Sequence, residues 1–279
     1  MSDCVYKLDP EQLYLEPKAA AEIGKDYAEK YQSGEPFHHI CIDNFLPLSV
    51  AEKVREEALA QRQIEAQHSS LQEHRKAAYN PDTLPLYTRA VFNALNSEGF
   101  LRFLEEMTGI PNLIPDPYYK GAGIHRTETG GFLGVHADFN HHKQMDLERR
   151  LNVLIYLNPD WKPEYGGAFE VWTEDMKTQV AQFPPFMNRM CCFSTSSNSY
   201  HGNPEPVNHP EDKPRISIAL YYYTATWDGS KVAHSTLFRP RPGSTDKTRN
   251  TEHRHRMLQK WLPPVVYGKV GHRLRKMGI

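Results

Sequence analysis

The sequence predicts a mainly β fold, a sandwich or barrel, with helices flanking it on the N-terminal side. From about residue 110 onward, short apolar and β-branched runs are separated by Gly and Pro, which is typical of many short strands joined by turns. Before that point, apolar residues recur at helical spacing. With 279 residues and 39% hydrophobic residues, the chain is long enough for one large domain or one domain with additions.

Residues 1–109 are predicted to form a helical and strand region that supports the sheet. Helices are expected at 18–32, from 49 to about 66, at 86–95 and at 99–107. Ser49-Val50-Ala51-Glu52 has the form of a capping box, and Gly109 ends the last helix. A strand is expected at 37–43, and the polar stretch 67–84 predicts a loop.

Residues 110–228 are predicted to form the core of the fold. Its expected strands are 123–126, 132–137, 151–157, 168–172, 180–183, 189–193 and 216–224. Residues 139–149 are polar and predict a loop. Jelly rolls and cupin-like barrels are the members of this class that hold a metal ion in their mouths.

His136-Ala137-Asp138 lies at the end of an expected strand, where residues two apart share one face. An imidazole and a carboxylate side by side are two of the three ligands of a 2-His-1-carboxylate triad, which leaves open positions on Fe(II). The third ligand must come from another strand, and His201, 65 positions later, is the candidate. Alone, a His-x-Asp is more often a surface His beside a loop Asp; the residues downstream favour the metal site.

The last expected strand begins with Arg215, and its alternate residues Ser217 and Tyr221 share the face of that arginine. Apolar residues occupy the other face, so the arginine face is predicted to line the cavity, where Arg215 can grip a carboxylate and Ser217 can assist. Asn152 and Tyr156 alternate in the same way along the strand 151–157. Alone, such an arginine is more often on the surface and such a tyrosine in the core.

Taken together, these residues resemble the prolyl-4-hydroxylase-like branch of the Fe(II)/2-oxoglutarate-dependent dioxygenases. The resemblance covers roughly residues 120–227. It is carried, in order, by His136-Ala-Asp138, Arg150-Leu-Asn-Val-Leu-Ile-Tyr156-Leu-Asn-Pro-Asp-Trp161, Gly166-Gly167, Tyr200-His201-Gly202 and Arg215-Ile-Ser217.

The resemblance implies a double-stranded β-helix of the jelly-roll or cupin-like type, with His136, Asp138 and His201 as iron ligands. It also implies that Arg215 binds the distal carboxylate of 2-oxoglutarate and that Tyr156 assists there. Arg215 follows the last histidine by fourteen positions rather than the usual nine or ten, and three prolines in that gap predict a longer loop.

A family tyrosine about ten positions before the first ligand is replaced here by Arg126, beside His125. We therefore expect His125, Arg126, Asn152 and Tyr221 to line the substrate pocket. Arg149 and its neighbour Arg150 are positioned to attract an anionic substrate, although one of the two must point outward.

The function implied by the resemblance is hydroxylation of an unactivated C–H bond in a prolyl or other protein residue, or in a small molecule, with release of succinate and CO2. Fe(II), 2-oxoglutarate and O2 are implied, and L-ascorbate as an additional cofactor. A carboxylate at Asp138, where halogenating relatives have a small residue, favours hydroxylation. Two alternatives remain open: a non-catalytic metal-binding module and an oxidative nucleic-acid demethylase.

Composition limits the other classes of function. No apolar run of about 18 residues predicts a membrane span, and the first residues lack the features of a secretory signal. The four cysteines show no spacing typical of a disulfide framework, so we expect reduced thiols and a cytoplasmic protein.

Residues 229–279 form a basic extension with 12 Lys/Arg against two acidic residues. Nucleic acid is nevertheless not expected as a partner, because no cluster of base-stacking aromatic residues accompanies the charge.

Overall fold

The computed structural model describes residues 4–61, 66–68, 72–228, 230–244 and 246. Five α-helices precede the core: α1 (Pro17–Asp26), α2 (Ala28–Gln32), α3 (Leu48–Ala60), α4 (Leu86–Leu95) and α5 (Glu98–Thr108). Short 3-10 turns occupy Pro81–Thr83 and Pro163–Tyr165. The helix predicted at 18–32 is thus two helices, α1 and α2. Gly109 ends α5 in the left-handed conformation expected of a C-terminal glycine.

The described part of the chain contains thirteen strands. They are β1 (His39–Ile42), β2 (Ala66–His68), β3 (Glu73–Tyr79), β4 (Ile114–Pro115), β5 (Gly123–Ala137), β6 (His141–His142), β7 (Leu147–Tyr156), β8 (Phe169–Trp172), β9 (Gln179–Phe183), β10 (Met190–Ser194), β11 (His201–Asn203), β12 (Arg215–Thr224) and β13 (Leu237–Phe238).

The strands form one antiparallel sheet that curls into a nearly closed barrel. Its main path runs β1-β10-β7-β12-β5-β11-β8-β9, and five further strands lie off this path: β3 and β13 pair with β5, β2 with β3, β4 with β12 and β6 with β7. Apart from the hairpin of β8 and β9, neighbours in this path are far apart in the chain, as a jelly-roll topology requires. The predicted fold class, a mainly β barrel with helices packed on it, is confirmed.

The two faces of β12 show how the sequence positions the site. Ile216, Ile218 and Leu220 project to one side and join the helices in the main hydrophobic core. The next residue on that side, Tyr222, contacts Phe100 of α5, with ring centroids 6.0 Å apart. The opposite side of the sheet, hereafter the inner face, carries the polar residues at the alternate positions of β12, including Arg215. Alternation therefore separates the scaffold from the site along one strand.

Some local predictions were wrong. The described residues of the predicted loop 67–84 include a strand, β3, which pairs with β5. Only Ala77 and Tyr79 of that strand are buried, so its composition is that of a loop although its backbone is paired. The loop predicted at 139–149 contains β6 and the start of β7. Ser49 caps no helix, because α3 begins one residue earlier, at Leu48.

The cysteines also differ from expectation. Cys41 and Cys191 lie opposite each other on β1 and β10, with Cα atoms 4.4 Å apart, and form a disulfide. The expectation of four reduced thiols is therefore wrong for this pair, because the fold brings together two residues separated by 150 positions. Cys4 and Cys192 are buried and belong to no disulfide within the described part of the chain.

Within the described residues, no helix has both the length and the apolar character needed to cross a membrane. The boundaries predicted at 109/110 and 228/229 stay predictions. The strand β1, from the predicted support region, is part of the barrel sheet. Most of the basic extension lies outside the described residues. The helix predicted from 49 to about 66 is shorter than expected: it ends at Ala60, and Ala66 begins β2.

Candidate metal centre

The two predicted imidazoles and the predicted carboxylate come together on the inner face of β5 and β11. His136 lies near the end of β5, Asp138 follows that strand directly, and His201 begins β11. His136 and His201 are opposite each other in the antiparallel ladder, and their ring centroids are 4.6 Å apart. One ligand atom from each of the three residues lies within 4.8 Å of the others.

Each imidazole is held by the backbone carbonyl two residues before it. Nδ1 of His136 is 2.9 Å from the carbonyl oxygen of Gly134, and Nδ1 of His201 is 2.9 Å from that of Ser199. A carbonyl oxygen only accepts, so Nδ1 donates and Nε2 of the neutral ring keeps its lone pair. The Nε2 atoms lie 3.5 and 3.3 Å from the carboxylate oxygens of Asp138. Three potential ligand atoms thus face one small space.

Asp138 is itself held by a buried arginine and asparagine. Nδ2 of Asn152 donates to Oδ2 of Asp138 at 2.7 Å. Arg149 donates from Nε and Nη2 to Oδ1 of Asn152, at 3.0 and 2.6 Å, and its Nη2 lies 3.2 Å from Oδ2 of Asp138. Its guanidinium also contacts the rings of Tyr221 and Phe139, at 3.6 and 4.4 Å from their centroids. These contacts fix the orientation of the carboxylate.

Burial and neighbouring charges favour the protonation states of Asp138 and His201 that can bind a metal ion. Burial alone would raise the pKa of Asp138, but Arg149 and His201 outweigh it and hold that pKa well below its usual range. Burial lowers the pKa of the His201 imidazole, against the opposing effect of Asp138. An ionised carboxylate and a neutral imidazole are the forms that bind metal ions.

Aromatic rings enclose the two histidines. The ring of His201 lies 4.4 Å from Phe193 and 5.8 Å from Phe169, and the ring of His136 lies 5.3 Å from Phe238 of β13. The two histidines are only 4% and 5% exposed. Because this wall is apolar, electrostatic interactions inside it are stronger than in water.

The predicted anion-binding residues lie on the inner face of β12 and β7. Arg215 is buried, its guanidinium lies 4.9 Å from the ring centroid of Tyr156, and its Nε donates to the carbonyl oxygen of Gly167 at 2.7 Å. Within the described part of the chain, the Nη groups of Arg215 have no carbonyl or carboxylate acceptor, and the Tyr156 hydroxyl makes no hydrogen bond of ordinary geometry. The guanidinium and this hydroxyl interact with each other: burial raises the pKa of Tyr156, and Arg215 opposes that rise. Ser217 pairs with Tyr156 across the two strands. Buried donors without acceptors are costly unless a ligand meets them.

Gly167 allows Arg215 to take this position. Its φ is +66°, and a Cβ built on it would lie 2.8 Å from Cδ of Arg215. Any other residue would strain the backbone and displace the arginine. The glycine pair in the motif therefore has a physical role beside the cosubstrate site.

The remaining predicted pocket residues divide into two groups. His125 pairs with Ser217 and so shares the inner face, and its Nε2 lies 2.9 Å from the carbonyl oxygen of Gly121. Tyr221 donates from its hydroxyl to the same carbonyl oxygen at 2.9 Å. Arg126 pairs with Ile216 on the opposite face and donates to Glu128 at 2.6 Å. The structure thus brings His125 and Tyr221 to the site but not Arg126, because strand alternation turns it away.

The strict alternation of β7 would place Arg150, not Arg149, beside Asn152. The register between β7 and β12 shifts by one residue between Tyr222 and Tyr223, so that Arg150 is the extra, bulged residue. The bulge turns Arg149 inward, while Arg150 reaches outward to Thr224. Sequence spacing alone contains no signal for this shift.

The donor set fits the groups that the motifs imply. Two neutral imidazoles and one carboxylate on one side of a metal suit Fe(II) and leave coordination positions open. The Nη groups of Arg215, together with the Tyr156 hydroxyl, suit the carboxylate of an acidic cosubstrate. Both sets lie on the inner face. A single dicarboxylate can therefore bind the metal through one end and Arg215 through the other.

Comparison with known proteins agrees with this geometry. Residues 122–223 match the family described as the 2OG-Fe(II) oxygenase superfamily. Over 121 residues the chain is 26% identical to the prolyl 3-hydroxylase OGFOD1 of Mus musculus, a match that covers 42% of this chain and 21% of that protein. The match thus spans about a fifth of the length of that curated relative.

Solved structures share the fold at low sequence identity. A prolyl hydroxylase of Trichoplax adhaerens, in complex with a hypoxia inducible factor peptide, has a TM-score of 0.54 and 18% identity, over 74% of this chain and 91% of that one. The non-heme alpha ketoglutarate dependent epimerase SnoN from nogalamycin biosynthesis has a TM-score of 0.50 and 15% identity, over 84% and 90%. A hydroxylase and an epimerase thus share this fold, and the fold alone does not name the reaction or the substrate.

Proposed function

We propose that this chain, which carries a 2OG-Fe(II) oxygenase domain of the prolyl-4-hydroxylase-like branch over residues 122–223, hydroxylates a C–H bond of a prolyl residue in a protein. Other protein residues and small molecules are the remaining substrate classes. The observation that carries the proposal is the placement of the His136, Asp138 and His201 ligand atoms on the same inner face as the Nη donors of Arg215.

Different residues of the inner face would bind the metal and the cosubstrate in such a reaction. His136, Asp138 and His201 would hold Fe(II) on one side. Arg215, Tyr156 and Ser217 would anchor the distal carboxylate of 2-oxoglutarate. When bound, Fe(II) and 2-oxoglutarate would supply the electrons that activate O2, and the cosubstrate would leave as succinate and CO2.

The surrounding side chains would orient and shield these groups. Arg149 and Asn152 keep Asp138 ionised and aimed at the metal position. The ring of Phe193 beside His201 helps to exclude water from the reaction space, which limits unproductive oxidation. His125 and Tyr221, on the inner face, are our candidates for contact with the substrate.

The prolyl substrate is supported by the similarity to a prolyl 3-hydroxylase. The non-catalytic alternative is less well supported, because all three ligands and the arginine are present in workable geometry. The nucleic-acid alternative depended on the basic extension, most of which lies outside the described residues. A need for L-ascorbate and a cytoplasmic location are further parts of the proposal.

The test is turnover of 2-oxoglutarate in the presence of Fe(II), ascorbate and a panel of proline-containing peptides, with succinate as the readout. We expect a peptide to stimulate succinate release, a mass increase of one oxygen atom on its proline, and neither effect in Asp138→Ala. Stimulation by small molecules alone would move the substrate to that class. Absence of any 2-oxoglutarate-dependent succinate, even uncoupled from substrate, would contradict the enzyme function.

A further inference from the structure

Asn203 is a buried polar residue of the inner face to which neither the motifs nor the site described above give a role. It ends β11, two residues after His201. The pairing of β11 with β5 shifts register between His201 and Asn203, but β11 pairs in regular register with β8. β11 therefore keeps its own alternation, and the side chain of Asn203 lies on the side of the metal ligand. Asn203 is only 7% exposed, and its Nδ2 has no hydrogen-bond partner among the described residues.

The chain that follows Asn203 leads toward Arg215. The carbonyl oxygen of Glu205 accepts from the amide of Gly167 at 3.2 Å. A Cβ on Gly167 would lie 3.1 Å from Val207 and 2.8 Å from Cδ of Arg215. Asn203 thus stands in the chain between the metal ligand and the segment that packs beside the arginine.

The spacing suits a short dicarboxylate. Two residues along a strand advance about 6.6 Å, and the ends of an extended five-carbon diacid are roughly 5 Å apart on ordinary bond lengths. A molecule that reaches from the position of the metal at His201 toward Arg215 would therefore run alongside Asn203. A carboxylate or keto oxygen of that molecule is the acceptor that the free amide requires.

A second buried asparagine shows what a purely structural amide looks like here. Asn158 is 3% exposed, and its Nδ2 donates to the carbonyl oxygens of Pro185 and Ile216 at 2.8 and 3.1 Å. Its Oδ1 accepts from the amide of Ile216 at 2.7 Å. Every polar group of that side chain stabilises the fold, whereas the buried Nδ2 of Asn203 is left without a protein acceptor.

We propose that Asn203 binds the cosubstrate, with its unpaired Nδ2 donating to 2-oxoglutarate between the metal ligand His201 and Arg215. The inference rests on the proposed function and adds a third donor to those of Arg215 and Tyr156. A buried donor that lacks an acceptor is costly in the ligand-free protein. Asn203 therefore keeps an amide at a position where an apolar residue would stabilise the fold equally well or better.

The test compares two near-isosteric variants, Asn203→Leu and Asn158→Leu, with the unaltered chain. The affinity for 2-oxoglutarate is measured anaerobically in the Fe(II)-loaded protein from its visible absorption, and Tm is measured without metal or cosubstrate. We expect Asn203→Leu to weaken 2-oxoglutarate binding about 10-fold, with Fe(II) affinity unchanged and Tm at or above that of the unaltered chain. Asn158→Leu should lower Tm by several degrees, about what loss of its hydrogen bonds implies.

A 2-oxoglutarate affinity of Asn203→Leu within twofold of the unaltered chain would overturn the inference, whatever its Tm. If the leucine prevents folding, Asn203→Ala removes the same donor without adding bulk, and the same loss of affinity is expected. Failure of the inference differs from failure of the proposed function. In the first case the unaltered chain binds 2-oxoglutarate and the variant binds it equally well; in the second, the unaltered chain binds none.

Discussion

The inner face has two ends: the candidate metal ligands His136, Asp138 and His201 form the metal end, and Arg215 and Tyr156 form the proposed anion end. The polar atoms of the metal end already have protein partners, whereas the anion end keeps donors without a carbonyl or carboxylate acceptor. Backbone carbonyls hold His136 and His201, and Asn152 holds Asp138. By contrast, the Tyr156 hydroxyl makes no hydrogen bond of ordinary geometry in the described part of the chain, and Arg215 donates to a carbonyl oxygen only through its Nε.

This difference indicates how each end meets its ligand. The metal end is preorganised, so its residues stabilise one geometry whether or not an ion is bound. The anion end contains donors that only a bound dicarboxylate would satisfy. Its residues therefore favour ligand binding at the expense of the stability of the ligand-free fold. Substitutions at the two ends should therefore separate metal affinity, cosubstrate affinity and stability.

The largest effect is expected from loss of a metal ligand. His136→Ala and His201→Ala should each abolish Fe(II) binding and turnover, a loss beyond the roughly 10–100-fold that residues supporting a ligand contribute. The measurement is equilibrium Fe(II) binding under anaerobic conditions.

His39→Ala is the matched control, because the Nδ1 of His39 also lies 2.9 Å from the carbonyl oxygen two residues before it, but His39 does not belong to the ligand cluster. Fe(II) binding should be unchanged in that variant. Retained binding in both ligand variants would contradict the assignment.

The next effect is expected at the anion end. Arg215→Met should weaken 2-oxoglutarate binding about 100-fold, since it removes charge-assisted hydrogen bonds worth about 1.5–3 kcal/mol each. Fe(II) affinity should not change, and the free energy of unfolding should stay the same or rise because a buried cation is removed. Titration calorimetry measures the affinities for 2-oxoglutarate and Fe(II), and chemical unfolding measures the free energy of unfolding. A fall in Fe(II) affinity equal to the fall in 2-oxoglutarate affinity would show that the two ends are not separate.

Asn152→Leu tests the preorganisation of the metal end. Without the Nδ2 donor, Asp138 loses its orientation, and Fe(II) affinity should fall about 10–100-fold. Competition with a chelator of known affinity measures this change. Unaltered Fe(II) affinity in this variant would mean that Arg149 alone suffices to orient the carboxylate.

The smallest effect is expected for Tyr156→Phe. Loss of one hydroxyl donor should weaken 2-oxoglutarate binding about 5–10-fold, whereas Tm should stay the same or rise because a buried, unpaired hydroxyl is removed. Tyr223→Phe is the matched control, since its buried hydroxyl also lacks a partner in the described structure. In Tyr223→Phe, Tm should likewise stay the same or rise, but the affinity for 2-oxoglutarate should not change. Equal cosubstrate affinities for the two variants would exclude Tyr156 from the anion site.

The sequence predicted the barrel and the grouping of the key residues because both depend on strand alternation and motif order. His136 and Asp138 are two apart on one strand, and Arg215 begins a strand whose other face is apolar. Which residues share a face of a strand does not depend on where that strand lies in the sheet. These groupings can therefore be predicted from the sequence alone. The ends of four predicted strands, 168–172, 180–183, 189–193 and 216–224, lie within one residue of those of β8, β9, β10 and β12. The predicted strands 123–126 and 132–137 are instead parts of one strand, β5, and β7 begins at Leu147 rather than 151.

The features that were missed depend on partners distant in the chain. The strand β3 is largely polar, so its composition resembles that of a loop although its backbone pairs with both β2 and β5. Arg149 faces inward only because of a bulge opposite Tyr222 and Tyr223, and the Cys41–Cys191 pair exists only because β1 lies beside β10. Asn203 had a usable signal, its position two residues after His201, but its unpaired amide is visible only in the folded chain.

The central claim is that one inner face holds a metal and a dicarboxylate together. Its most direct test is anaerobic titration of Fe(II) and then 2-oxoglutarate into the metal-free protein, followed by visible absorption. The account predicts a weak metal-to-ligand charge-transfer band that requires both additions and is absent from His201→Ala. Absence of that band in the unaltered chain, with Fe(II) bound and 2-oxoglutarate in excess, would contradict it.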